Sequence, residues 1–280
     1  LGGGYEYLLK RFSDESATSA GQFFTPRAVV HLLVRVLGPQ PTDSVYDPAC
    51  GSAGMLIEAA TEVVQSGGKV GRMRFYGQEV NQTSAAIGRM NLLIHEVEDA
   101  QIRREDTLRE PKFRDAKGKL DQFDMVVANP PFSLKDWGSE KWAADPHKRA
   151  VGGVPPKGNG DFAWVQHMIA SMKPETGRVG VVMPHGVLFR GGAEERIRTK
   201  LLKDGHIDTV IGQTIRFSQV KKDGKTFTNL DRAGEGTAET PAAAAPAAAA
   251  PKAPVDLPAL IDLYRQCFDG AMMTLGVKCE

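Results

Sequence analysis

The chain has 280 residues, enough for one sizeable α/β domain with a buried core and smaller additions. A hydrophobic content of 41% excludes wholesale disorder, and no apolar run approaches the roughly 20 residues needed to span a bilayer. The net charge of +1 argues against a stand-alone, tight nucleic-acid binder, since phosphate contacts draw on a basic excess; an enzyme that shares its grip on nucleic acid with a partner remains compatible.

The chain opens abruptly on Leu1-Gly2-Gly3-Gly4, as an excised fragment would, and the opening residues do not read as a signal peptide. Tyr5, Leu8, Leu9 and Phe12 have helical spacing, followed by a polar loop to Gly21. A second helix is expected from Pro26, with Val29, Val30, Leu32, Leu33, Val36 and Leu37 on its apolar face and Gly38-Pro39 as its stop. Short apolar runs then read as strands at Ser44–Tyr46, Arg74–Gly77, Ile102–Glu105, Met125–Ala128, Arg178–Met183 and Ile207–Ile211. Helical stretches lie between them near Ala53–Gln65, Gln82–His95, Asp161–Met172 and Gly192–Lys203. That alternation predicts an α/β fold: a mainly parallel sheet, right-handed crossovers and helices on both faces. The regular pattern ends at Gly212, which bounds a first domain of residues 1–212. Residues 213–256 join a polar segment with faint strand character, up to Arg232, to an Ala/Pro-rich run expected to be an extended linker. Residues 257–280 read as a helical tail, because Leu260, Leu263, Tyr264 and Phe268 return to helical spacing. Cys50, Cys267 and Cys279 show no metal-ligand spacing, nor do the histidines, so no metal is assigned and a reducing cytoplasm is the simplest setting.

Candidate chemistry sits where strands hand over to helices. Asp47-Pro48-Ala49-Cys50-Gly51-Ser52-Ala53-Gly54 follows the first strand and opens a helix. Glycine lets a ligand approach the backbone there, and the helix start offers unpaired N–H groups. A plain tight turn would look similar, but an acidic residue at the strand end repels phosphate and welcomes an ammonium, which suits the amino group of a methionine moiety. Glu79, at the tip of the next strand, can accept both hydroxyls of a ribose; the alternative is a solvated surface glutamate. Asp106, followed by Thr107, can receive an adenine amine, although acidic loop residues are common.

The most specific signal is Asn129-Pro130-Pro131-Phe132, which closes the fourth strand. Consecutive prolines fix φ and remove backbone donors, leaving carbonyls as pure acceptors. The Asn129 side-chain oxygen and the Pro130 carbonyl can together accept both hydrogens of an amine, aiming its lone pair at an electrophilic methyl group, while Phe132 offers a face for a planar ring. A rigid turn after a strand is the bland alternative. Upstream, in Gly21-Gln22-Phe23-Phe24-Thr25-Pro26, Thr25 can cap the second helix with Pro26 at its first position, and the two phenylalanines can be plain core.

These segments, with Gly158-Asn159-Gly160-Asp161-Phe162-Ala163 and the run from Val182 to Glu194, resemble in order and context the modification (M) subunit of type I restriction-modification systems, N6-adenine DNA methylases. The resemblance covers roughly residues 1–212. It implies a Rossmann-like methyltransferase sheet and S-adenosylmethionine as cofactor. Gln22, Phe23, Thr25 and Pro26 would border the methionine end; Asp47, Ala49, Gly51 and Ser52 would hold the amino-acid part, with Asn129 beside them. Glu79 would take the ribose, Asp106 and Thr107 the adenine. Asn129, Pro130, Pro131 and Phe132 would receive an adenine flipped out of double-stranded DNA. The family works with a sequence-reading specificity (S) subunit, a second M subunit and, in the full complex, a restriction (R) subunit. Two departures stand out. The N-terminal helical domain that the family carries is not expected among these residues, and Gln213–Phe217 does not match the motif expected after Gly212, so Phe217 is a poor substitute for its aromatic residue. Both leave a non-catalytic assembly module as a rival. A methylase of a protein glutamine or an RNA base is another, though glutamine methylases usually show Tyr where Phe132 stands, and cytosine N4 methylases more often carry Ser in place of Asn129.

Overall fold

The computed structural model describes residues 25–211 in full and the backbone of three further strands, Ile215–Lys222, Lys225–Arg232 and Met272–Lys278. The expected first helix, Gln22, Phe23, the Ala/Pro run and the tail before Met272 lie outside the described residues.

Helix α1 spans Arg27–Leu37 and ends on Gly38, whose left-handed backbone returns its N–H to Val34. Strand β1 (Ser44–Asp47) leads through the glycine loop into α2 (Gly54–Gln65). Strand β2 (Arg74–Glu79) precedes α3 (Gln82–Ile94), capped by the Asn81 side chain at the Ser84 N–H (3.0 Å). Strands β3 (Ala100–Arg104) and β4 (Met125–Ala128) follow, then a short helix α4 (Ser139–Trp142) that sequence periodicity does not reveal. The remaining elements are α5 (Asp161–Ser171), β5 (Arg178–Pro184), α6 (Ala193–Lys203), β6 (Thr209–Ile211), β7 (Ile215–Lys222), β8 (Lys225–Arg232) and β9 (Met272–Lys278).

The main sheet has the order β3-β2-β1-β4-β5-β9-β6. The first five strands in that order are parallel, so the expected α/β architecture stands. Strand β3 begins and ends earlier than its apolar run suggests, and β6 is confined to Thr209–Ile211. The segment with faint strand character forms the β7–β8 hairpin, a separate two-stranded sheet. The helical reading of the tail fails for Met272–Lys278. This run is β9, antiparallel to both β5 and β6. Met-Met-Thr-Leu-Gly-Val is too short for periodicity to choose between helix and strand, whereas a slot between two strand edges satisfies its backbone on both sides.

Side-chain alternation along the strands divides the core. Val45, Phe75, Met125, Val127 and Val182 pack with α1, α2 and α3 on one face. Tyr46, Val126, Ala128, Val179, Val181 and Met183 pack with α5 and α6 on the other. Close approach of α1 requires Gly180 on β5: a Cβ there would stand 2.8 Å from Leu33 Cδ1. Leu33, fully buried, is therefore wedged directly on the sheet. Leu33→Ala should cost ~2–5 kcal/mol, the lost burial of the side chain plus the cavity it leaves. Urea unfolding of the full chain measures this, and a loss below about 1 kcal/mol would contradict the packing described.

Candidate active site

Parallel strands end on one edge of the sheet, and β1 and β4 are neighbours with Tyr46 opposite Val126. The loops after them therefore face each other where the strand order reverses, the usual crevice of open α/β sheets. A cavity of about 150 Å³ occupies this place. Thr25, Asp47, Ala49, Gly51, Ser52 and Asn129 all line it. Asn129, which opens the prolyl turn, and the glycine loop thus line the same cavity.

The glycine loop is held open by its own geometry. Gly51 has φ +50°, where glycine alone is unstrained, and its N–H donates to Glu79 Oε2 (2.9 Å). The other Glu79 oxygen accepts the Asn81 N–H (2.8 Å). Glu79 is thereby fixed at the end of β2 beside the loop, although it does not line the cavity itself. Asp106 is oriented differently. Its Oδ1 accepts the N–H groups of Leu108 (3.0 Å) and Arg109 (3.1 Å), and Oδ2 faces the Arg109 guanidinium at 3.3 Å. One carboxylate oxygen is thus held by its own turn, and Asp106 is not among the residues lining the cavity. Thr107, buried, donates its hydroxyl to the Pro48 carbonyl (2.6 Å) and so ties the β3 loop to the glycine loop.

Thr25 does not cap α1; Pro26 takes that position, with no side-chain cap. The Thr25 hydroxyl instead accepts from Asn129 Nδ2 (2.8 Å). Asn129 Oδ1 is left buried with no partner among the described residues. An unsatisfied buried acceptor costs ~1–3 kcal/mol, and one pinned in a cavity wall calls for a ligand that donates to it. Pro130 is buried, while Phe132 is 40% exposed.

Asp47 is almost wholly buried and accepts the Ala49 N–H (3.0 Å). Burial pushes its carboxyl up to about 8, against the pull of that N–H and with the Glu79 charge adding to the rise. A cationic group entering the cavity would restore the ionised form.

Comparison with known proteins then fixes the family. Residues 1–217 match the model described as N-6 DNA Methylase. The chain belongs to that family. Among its N-6 DNA methylase relatives is the type I restriction enzyme HindI methylase subunit of Haemophilus influenzae, 37% identical over 82% of this chain and 48% of that protein. The MjaIX methylase subunit of Methanocaldococcus jannaschii is 34% identical over 71% of this chain and 35% of that protein. The chain thus spans less than half the length of these curated relatives. A solved type I restriction-modification methyltransferase subunit from Streptococcus thermophilus superposes with a TM-score of 0.71 at 28% identity, covering 100% of this chain and 49% of that one.

Several residues that shape this N-6 DNA methylase site are invisible to motif reasoning. Gln78, fully buried, donates to the carbonyls of Glu105 (3.2 Å) and Glu110 (3.0 Å) and accepts the Lys112 N–H (2.8 Å), fastening the β3 loop to β2. Arg149 pairs with Asp145 (2.9 Å), donates to the carbonyls of Thr107 (3.2 Å) and Leu108 (2.9 Å) and lies over the Trp142 ring (4.7 Å). Beside it, burial and the Arg149 charge push the His167 imidazole well below its ordinary value, so it stays neutral. Apart from the Arg149–Asp145 pair, four residues apart, these anchors are long-range contacts with no local signature.

The Asp47 shift has a consequence for stability. A carboxyl whose value is raised on folding favours the protonated chain, so its contribution is complete below about pH 4 and is lost as pH rises toward about 8. Asp47→Asn, which does not titrate, should stabilise the unliganded chain by ~1–3 kcal/mol at about pH 8 and by much less at about pH 5. Thermal unfolding at both values tests this; equal effects at the two would refute the buried-acid picture.

Proposed function

We propose that this chain is the catalytic core of a site-specific DNA methyltransferase that transfers a methyl group from S-adenosylmethionine to N6 of adenine, acting as the M subunit of a type I restriction-modification system. The observation that carries the reading is the buried, unpartnered Asn129 oxygen in the cavity that also holds Asp47 and the glycine loop. Asp47 offers a carboxylate for an ammonium and Gly51 and Ser52 an open backbone in the cavity wall, while Glu79, beside the loop but outside that wall, keeps one lone pair on each oxygen for a ribose. Asp106, whose Oδ2 lies outside its Asx turn, keeps acceptor capacity for the amine of the cofactor's adenine.

The cofactor supplies an electrophilic methyl group; the protein supplies position and electrostatics. Asn129 Oδ1 and the Pro130 carbonyl accept the two amine hydrogens of adenine, which directs the nitrogen lone pair and favours the positive charge that grows on nitrogen. Phe132 stacks on the base. Inside a duplex the amine cannot reach this cavity, so the base is flipped out at a cost of a few kcal/mol. The near-neutral charge fits a subunit that leaves sequence reading to an S subunit, with a second M subunit and an R subunit completing the assembly.

Asn129→Ala should reduce methyl transfer at least ~10³-fold while cofactor affinity stays within about threefold. Labelled S-adenosylmethionine, with the full chain co-purified with its S subunit, measures both; full methylation by the variant would remove Asn129 from the reaction. Because an ammonium needs the ionised Asp47, binding should release a proton below about pH 8. Cofactor affinity should then climb by up to ~tenfold per pH unit from about pH 6, and the slope should vanish in Asp47→Asn. Calorimetry in buffers of different ionisation enthalpy detects the proton, and its absence in the wild type would contradict this role.

A further inference from the structure

Two segments named for their resemblance, Gly158–Ala163 and the run from Val182 to Glu194, have no part in the chemistry above, yet the structure joins both to the prolyl turn. Immediately after Phe132, Ser133 adopts φ +52°, a left-handed conformation that costs a non-glycine residue ~1–2 kcal/mol. Its N–H donates to Asp161 Oδ1 at 2.7 Å. Leu134 is held as well, its carbonyl accepting the Gly160 N–H (2.9 Å). Asp161 is 1% exposed and is the first residue of α5, where the helix dipole favours a carboxylate. Its second oxygen is paired with Arg190.

Arg190 is itself braced. Its Nε and Nη2 donate to the two oxygens of buried Glu194, at 2.6 and 3.0 Å. Arg198 donates to the carbonyls of Val187 (2.9 Å) and Arg190 (3.0 Å). A chain of charge-assisted bonds therefore runs from α6 through Arg190 and Asp161 to the amide that follows Phe132.

We propose that Asp161 is a positioning residue: its carboxylate, oriented by Arg190, holds Ser133 in its left-handed conformation and so sets where Asn129 and Phe132 stand. The inference rests on the methyltransferase reading for its kinetic test alone. A misplacement of about 1 Å at a reacting group can cost ~10²-fold in rate, so a single anchoring bond is enough to matter.

The test uses the full chain with its S subunit, and the variants Asp161→Ala, Asp161→Asn and Arg190→Lys. Asp161→Ala should lower kcat by ~10²-fold, with KM for DNA and cofactor affinity within about threefold of wild type. Asp161→Asn keeps an oxygen for the Ser133 N–H and should recover at least about a tenth of the wild-type rate, with Arg190→Lys between the two. Hydrogen exchange gives a readout independent of turnover: in Asp161→Ala, peptides covering residues 129–137 should exchange about tenfold faster, and those covering β1 and β4 unchanged. A kcat within about twofold of wild type, or unaltered exchange in the turn, would overturn the proposal. So would a fall in kcat matched by lost cofactor affinity and faster exchange throughout the sheet, which marks a purely structural role. If the alanine variant does not fold, failure of Asp161→Asn to outperform Arg190→Lys also overturns it. A wild-type complex that transfers no methyl group would sink the functional reading, while the exchange measurement would still decide the role of Asp161.

Discussion

Parallel strands β1 and β4 lie side by side where the strand order reverses, and a cavity lined by the residues after both of them and by the start of α2 opens at their carboxyl ends. Every feature of the site follows from that adjacency. The β1 loop turns away into α2 and exposes backbone; the β4 loop, stiffened by Pro130 and Pro131, presents side chains. Separated by many residues in sequence, Asp47 and Asn129 become walls of one cavity because the pairing of Tyr46 with Val126 leaves their strands level. Side chains alternate between two cores, so a slip of one residue in this register would reverse both faces at once.

Loops that carry function cannot be held by the sheet itself, and here buried polar side chains hold them. Gln78 and Arg149 fasten the loop after β3, one to β2 and the other to the segment leading into α5. Asp161 fastens the loop after β4 to the segment after β5. Burying such groups is costly unless each lone pair and proton is matched, and these are matched largely by main-chain carbonyls and amides. Since the main chain is the partner, the geometry being specified is that of the loop. Asn129 Oδ1 differs from all of these: it is buried in the same region and has no partner among the described residues.

Much of this was legible in the sequence because it is local. Alternating apolar runs mark the strands, Gly38 stops α1, and Asp47–Gly54 and Asn129–Phe132 each announce a turn whose chemistry follows from its residue types. What could not be read is non-local. Thr25 looked like a helix cap, yet its hydroxyl serves Asn129, a contact across 104 positions. Asp106 looked like a plain loop acid, yet one of its oxygens closes an Asx turn on the Leu108 and Arg109 N–H groups while the other faces the Arg109 guanidinium. Met272–Lys278 became a strand because two edges were waiting for it, a fact that belongs to the sheet and not to the segment. The segments around Asp161 and Arg190 were visible as motifs, but only coordinates connect them to Ser133.

The choice of an amide at position 129 also follows from the surroundings. A carboxylate there would share the cavity with Asp47, which burial already drives toward its protonated form. Two like charges in so dry a place raise each other's affinity for a proton, and the outcome is a carboxylic acid that donates where the proposed reaction needs an acceptor. A serine hydroxyl accepts, but it rotates and reaches less far. Asparagine presents an acceptor of fixed direction with no charge to neutralise, and Thr25 determines which way it faces. In the proposed reaction the site therefore divides its electrostatics: a titratable acid, Asp47, where a cationic ligand would bind, and a neutral dipole, Asn129, where positive charge would develop.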